Sequence, residues 1–161
     1  MWYSTGRPGR YEVSMSMLRS LTILLSLCLA GCFASQARTG LSNQIQVFGI
    51  ELYSSTDYRE INGVKGMEEP CLKGYERIFD PLDITIGYGF NRKIRKITTM
   101  NRGTSMFGIT PGMSVDEARR LARQTGLNEV SPVRYRSDDL SLFLHIDAKG
   151  NVFGVTVETI K

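Results

Sequence analysis

The chain has few side chains able to act as nucleophiles or proton carriers, and their spacing narrows what they can do. Its three cysteines are Cys28, Cys32 and Cys71, and His145 is its one histidine. Cys32 follows Gly31 at the end of an uncharged apolar run, Leu21 to Ala30, with Arg19 just before the run. A thiolate is the reactive form of cysteine, and small residues beside it admit a processing peptidase. Cys28 lies inside the apolar run, so Cys71 stands alone downstream and no intramolecular disulfide is expected. Cys71 reads as a partly buried small side chain, or as a leftover thiol that pairs with another chain. His145 alternates with Ser141 and Phe143, opposite Leu142 and Leu144, which is the setting of a surface or partly packed side chain. No cysteine and histidine spacing suits a metal, and no nucleophile-elbow pattern occurs. Asp138 and Asp139 would point to opposite faces of a strand and read better as a solvated turn. Gly87-Tyr88-Gly89 lacks phosphate-loop spacing. The reading is of a protein without catalytic residues, metal or cofactor.

Charge is concentrated once, at Arg92, Lys93, Arg95, Lys96 and Arg102. This is either a solvated hairpin or a candidate contact for a partner or an anionic surface. Near charged lipid, clustered basic residues contribute roughly 1 kcal/mol each. The whole chain of 161 residues carries a net +4. From Cys32 onward, 17 Lys and Arg face 15 Asp and Glu, which leaves +2. That balance gives no argument for nucleic acid as a partner.

The N-terminal pattern of basic residue, apolar core and small residues is that of a secretory signal peptide. Its apolar core is too short to span a bilayer, which needs roughly 20 residues. Leu29-Ala30-Gly31-Cys32 resembles the lipobox of bacterial lipoproteins. The resemblance implies cleavage between Gly31 and Cys32, lipid on Cys32, and attachment to a membrane. Residues 1–14 are polar and long for a signal, and Met15 or Met17 offers a more compact start. Phe33 stands where enterobacterial lipoproteins retained in the inner membrane carry aspartate, which implies an outer-membrane anchor facing the periplasm. On this reading residues 1–31 are signal and 32–43 a lipidated tether.

Two stretches of strict alternation must position everything else. Leu82, Ile84, Ile86, Tyr88 and Phe90 form one, and Leu140, Leu142, Leu144 and Ile146 the other, as half-buried strands do. Each meets a polar turn, 91–93 and 147–151, and each is followed by a further strand, Ile94 to Thr99 and Val152 to Thr159. Gly150-Asn151 marks a hairpin. Ser114 and Glu117 form a capping box ahead of a helix whose apolar face holds Val115, Ala118, Leu121, Ala122 and Thr125, and which Gly126 stops. Phe48-Gly49-Ile50 recurs as Phe107-Gly108-Ile109, and Ser55 and Asp57 as Ser114 and Asp116, at one offset. A shorter helix is expected over Thr56 to Ile61, ended by Asn62-Gly63, with irregular loop over 62–74. The fold class expected is α+β: two tandem helix-plus-antiparallel-meander repeats, 44–103 degenerate and 104–161 intact, with both helices on one face of the sheet.

The stretch Met106 to Ala118, a strand followed by Gly-Ile, Gly-Met-Ser and a capped helix, resembles the small-protein-A/outer-membrane-lipoprotein-A family. The tandem arrangement is similar to the β-lactamase-inhibitory-protein fold. The resemblance implies a fold and the binding of other proteins, with no residue role carried over. The expectation is a lipid-anchored, non-enzymatic accessory or scaffold module that binds another envelope protein. A periplasmic hydrolase inhibitor, with Tyr53, Tyr58 and Tyr75 as candidate anchors, and a small-ligand or cell-wall binder are the alternatives.

Overall fold

Alternation builds a sheet, and in the computed structural model, which describes residues 44–160, the sheet dominates. In chain order the strands are β1 (Ile45–Gln46), β2 (Glu60–Ile61), β3 (Val64–Lys65), β4 (Met67–Cys71), β5 (Gly74–Phe79), β6 (Ile84–Gly89), β7 (Ile94–Thr99) and β8 (Ser105–Met106). Helix α1 (Val115–Gln124) follows, then β9 (Asn128–Ser131), β10 (Arg134–Arg136), β11 (Leu140–Ile146) and β12 (Val152–Thr159). Eight strands form one antiparallel sheet in the order β4-β5-β6-β7-β12-β11-β10-β9. It is two meanders joined where β7 meets β12, with Ile97 opposite Val157.

One face of this sheet is the core. Ile86, Ile97, Val157, Leu142 and Tyr135 lie in register across five neighbouring strands, and all are fully buried. Helix α1 covers part of that face through Ala118 and Ala122, whose small side chains let the helix backbone come close. Hydrogen bonds from Val115 N–H to Gly150 C=O and from Gly112 N–H to Val152 C=O fasten the helix start to the β11–β12 turn. The segment ahead of β2 adds Val47 and Ile50 to the core and exchanges backbone hydrogen bonds with Ile94 through Tyr53 and Ser54. Residues 44–160 belong to a single compact unit. Among them no helix is long and apolar enough to cross a membrane.

The helix over 115–124 and the strands Ile94–Thr99 and Val152–Thr159 form as the sequence predicts, and the Ser114 hydroxyl accepts from Glu117 N–H at 3.4 Å. The expectation of two helix-plus-meander repeats is overturned. Among the described residues α1 is the one α-helix, and the architecture is mainly β. The error lies in residues 56–74. Asn62 and Gly63 both have positive φ, 48° and 79°, as a two-residue hairpin turn requires. They therefore join β2 to β3 instead of ending a helix. Tyr58 N–H is claimed by the Tyr88 hydroxyl and Asp57 by the Arg77 guanidinium, so the chain before β2 is pulled out straight. The expected loop after it is the β4–β5 hairpin. Pro70 is tolerated there because β4 is an edge strand, where a missing N–H leaves no ladder bond unmade.

The recurring Phe-Gly-Ile does have a structural meaning. Phe48 and Gly49, like Phe107 and Gly108, take consecutive positive φ, and Ile50 and Ile109 N–H each close the turn on the residue three back, at 2.9 Å. The repeat specifies two like turns, not two like domains. The signal segment 1–31 with Gly31, the tether 32–43 with Cys32, and the alternative starts lie outside the described residues.

Candidate functional site

Burial on one face leaves the other face of the sheet without a helix, and three groupings of side chains stand out. The first belongs to the core side. Tyr75, Arg77 and Phe79 in β5 face the core together because strand side chains alternate. The Arg77 side chain is only 5% exposed and bonds Asp57 at 2.8 Å with one terminal nitrogen and Glu68 with the other. Its Nε has no hydrogen-bond partner. The guanidinium lies 5.7 Å from the Tyr75 ring centre and 6.0 Å from that of Tyr88, and the two rings stack at 4.6 Å. Burial pushes the Tyr88 phenol up to about 12, with the Tyr58 N–H bond working against the shift. Tyr75 is raised by burial and by Asp57. A cation held this way cannot reach a substrate. It clamps the segment around Asp57 to the sheet.

The second grouping neutralises much of the basic run. A bulge at Arg95, where Gly87 pairs with Lys96 and Tyr88 with Ile94, places Arg95 and Lys96 as neighbours on the open side. Lys96 pairs with Glu76. Arg95 pairs with Glu158 at 2.7 Å and has its other terminal nitrogen 3.5 Å from Cys71 Sγ. Lys73 also reaches Glu158, at 3.0 Å. Gly87 makes room for this, since a Cβ there would meet Lys96 Cβ at 3.0 Å. The five basic residues singled out in the sequence thus do not form one patch. Arg92 and Lys93 occupy the exposed β6–β7 turn, Arg95 and Lys96 are half-buried in ion pairs, and Arg102 is exposed in the loop after β7, beside Gly112. Cys71 is half-buried with a free thiol.

The third grouping is apolar and exposed. Phe143 and His145 point from β11 to the open face, with ring centres 5.2 Å apart, and Phe153 lies 5.7 Å beyond His145. Phe153 is an extra residue, a bulge between the pairs His145–Gly154 and Ile146–Val152. Met100 completes the patch: a Cβ on Gly154 would lie 3.2 Å from Met100 Cγ and 3.4 Å from His145 Cδ2. Glycine there opens a shallow trough between them. Phe143, Phe153 and Met100 are all exposed. His145 Nε2 shares a hydrogen bond with the Thr156 hydroxyl at 2.8 Å, and burial, then the Lys96 charge, hold its pKa below the usual histidine range. Arg134 sits beside Phe143 in the cross-strand register, with its Nε 3.3 Å from Ser141 Oγ.

Alternation in the sequence places His145 and Phe143 on this face. It misses Phe153, because a bulge shifts the count, and Met100, which lies past the end of β7. Of the three tyrosines named as inhibitor anchors, Tyr58 and Tyr75 pack against the core, while Tyr53 is exposed and donates to Asp139 C=O at 3.3 Å. Among the described residues no three His, Cys, Asp or Glu side chains gather closely enough to hold a metal.

No known family, curated protein or solved structure matches the chain.

Proposed function

We propose that this is a lipid-anchored envelope protein, attached through Cys32 to the outer membrane and facing the periplasm. It works without catalysis, as an accessory or scaffold that binds another envelope protein. The observation that supports it is the exposed patch of Phe143, Phe153 and Met100 around the half-buried His145, on the helix-free face of the sheet. Contiguous exposed aromatics bordered by arginine have the composition of a protein-binding centre. A rigid sheet also holds such side chains in place before binding, so little ordering entropy is lost on contact. Interface anchors of this kind carry about 2 kcal/mol or more each when truncated.

The test is cross-linking in intact cell envelopes followed by mass spectrometry of what is captured. Wild type, Cys32→Ser and the pair Phe143→Ser with Phe153→Ser are compared. One abundant membrane-complex partner is expected, lost in both variants. Recovery unchanged by the phenylalanine substitutions would overturn the patch as the binding surface. A soluble hydrolase captured equally well by Cys32→Ser would replace the scaffold reading with an inhibitor.

A further inference from the structure

The two most exposed large apolar side chains of the described residues are not in the aromatic patch. Leu72 is 98% exposed and Phe90 82%. Leu72 sits in the β4–β5 turn and Phe90 in the β6–β7 turn. Gly74 pairs with Gly89 across the neighbouring strands β5 and β6, so the two turns project from the same end of the sheet. At two strand spacings they are roughly 10 Å apart. The second turn is tied down: Arg92 N–H bonds Gly89 C=O at 2.9 Å, Gly89 N–H bonds Lys93 C=O at 2.9 Å, and the Asn91 side chain accepts from Lys93 N–H at 3.1 Å. Phe90 is held out in water by a defined turn.

Cations flank both tips. Lys73 follows Leu72, and Arg92 and Lys93 follow Phe90. Beside the second turn a depression of about 330 Å³ has Tyr53, Phe90, Lys93 and Arg95 in its lining. Of the carboxylates on the open side, Glu158 is occupied by Arg95 and Lys73, and Glu76 by Lys96. Asp138 and Asp139 lie at this same end, just before β11, which is two strands beyond β7 in the sheet order. The cations left exposed at this end therefore sit on the β4–β5 and β6–β7 turns themselves.

We propose that these two turns dock on an anionic phospholipid bilayer. Leu72 and Phe90 enter below the headgroups, Arg92 and Lys93 meet lipid phosphates, and the depression has room for one phosphate headgroup. Separate apolar tips on convex turns, each beside cations, match a bilayer interface, which is apolar below and anionic above. A protein groove would instead be met by a contiguous surface such as the aromatic patch. The proposal is independent of that patch and of lipid on Cys32, so either can fail alone.

The experiment uses the full chain with Cys32→Ser and two vesicle types, phosphatidylcholine alone and phosphatidylcholine mixed with phosphatidylglycerol. Co-sedimentation is expected to be stronger with the mixed vesicles. Leu72→Ser with Phe90→Ser should lower the partition coefficient at least about tenfold. Arg92→Ser with Lys93→Ser should lower it on mixed vesicles by roughly fivefold per residue and leave phosphatidylcholine unaffected. These positions are exposed, so both variants should melt as the parent does. Binding to mixed vesicles equal to the parent's in both variants would overturn the proposal, by showing that another segment holds the lipid. A second readout places tryptophan at the tip, Phe90→Trp with Trp2→Phe. Its emission should shift to the blue on mixed vesicles. No shift with vesicles, or a shift only with envelope protein extract, would overturn lipid docking.

Discussion

The Arg77 clamp makes a sharp prediction about coupling. Its side chain is 5% exposed, whereas the Asp57 and Glu68 side chains are 37% and 58% exposed. The arrangement is therefore asymmetric: a carboxylate that loses Arg77 can turn to water, but Arg77 cannot follow suit. Asp57→Ala or Glu68→Ala alone leaves the cation with one anion and should destabilise by about 1 kcal/mol, the lower end for a charged hydrogen bond to a partly exposed partner. Removing both leaves a buried cation with no counter-charge, which costs about 3–5 kcal/mol. The double variant thus exceeds the sum of the singles by about 1–3 kcal/mol, well outside the roughly 0.5 kcal/mol scatter of independent sites. With Arg77→Met there is no cation to strand, and the same two alanine substitutions should together cost under about 0.5 kcal/mol. Urea unfolding of the six proteins, followed by circular dichroism, gives each midpoint and slope and hence each free energy. Additive single substitutions, or an equal penalty in the Arg77→Met background, would refute the reasoning.

Three further outcomes follow from the geometry. His145 has a folded pKa below its usual 6.5, from burial and then Lys96, so the unfolded chain binds its proton first as pH falls. The stability it contributes is present above 6.5 and is lost as pH drops toward the folded value; thermal unfolding of His145→Gln should lack that slope. Tyr88, pushed up to about 12 from 10.0, ionises later in the fold than in the unfolded chain, so stability falls as pH rises past 10. Tyr88→Phe should remove the latest phase of the phenolate absorbance titration and destabilise by about 1 kcal/mol, through the hydrogen bond from Tyr58 N–H. Gly74 has φ +141°, and a Cβ there would collide with the Tyr88 carbonyl oxygen. Gly74→Ala should cost about 3 kcal/mol or more in urea unfolding, and a variant as stable as the parent would show that the β4–β5 turn differs from this structure.

What the chain determines by itself is whatever depends on neighbours in sequence. The period-two rhythm of Ile84 to Tyr88 and Leu140 to Leu144 fixes strands and their buried face, and the Ser114 cap with Gly126 bounds α1, because these signals act within a few residues. Phe-Gly-Ile is legible as a local motif too, though what it encodes is a turn. The apolar core before Gly31-Cys32 carries the proposal of a lipid anchor on sequence alone. Tertiary structure decides the rest. Residues 56–61 carry weak helical signals, and bonds from Arg77 and Tyr88, contributed by strands further along, override them. Arg77 itself is illegible as a buried residue, since a charge on the apolar face of β5 breaks the alternation that would reveal it. Arg95 and Lys96 read as solvated charge until the sheet brings Glu158 and Glu76 to them, from 63 and 20 residues away. The aromatic patch needs the bulge at Phe153 and the approach of Met100 to Gly154. The exposed pair Leu72 and Phe90 becomes a pair only when β5 and β6 set their turns side by side. Proximity between residues far apart in sequence comes from strand order and register, and those are settled by burying the whole apolar face at once.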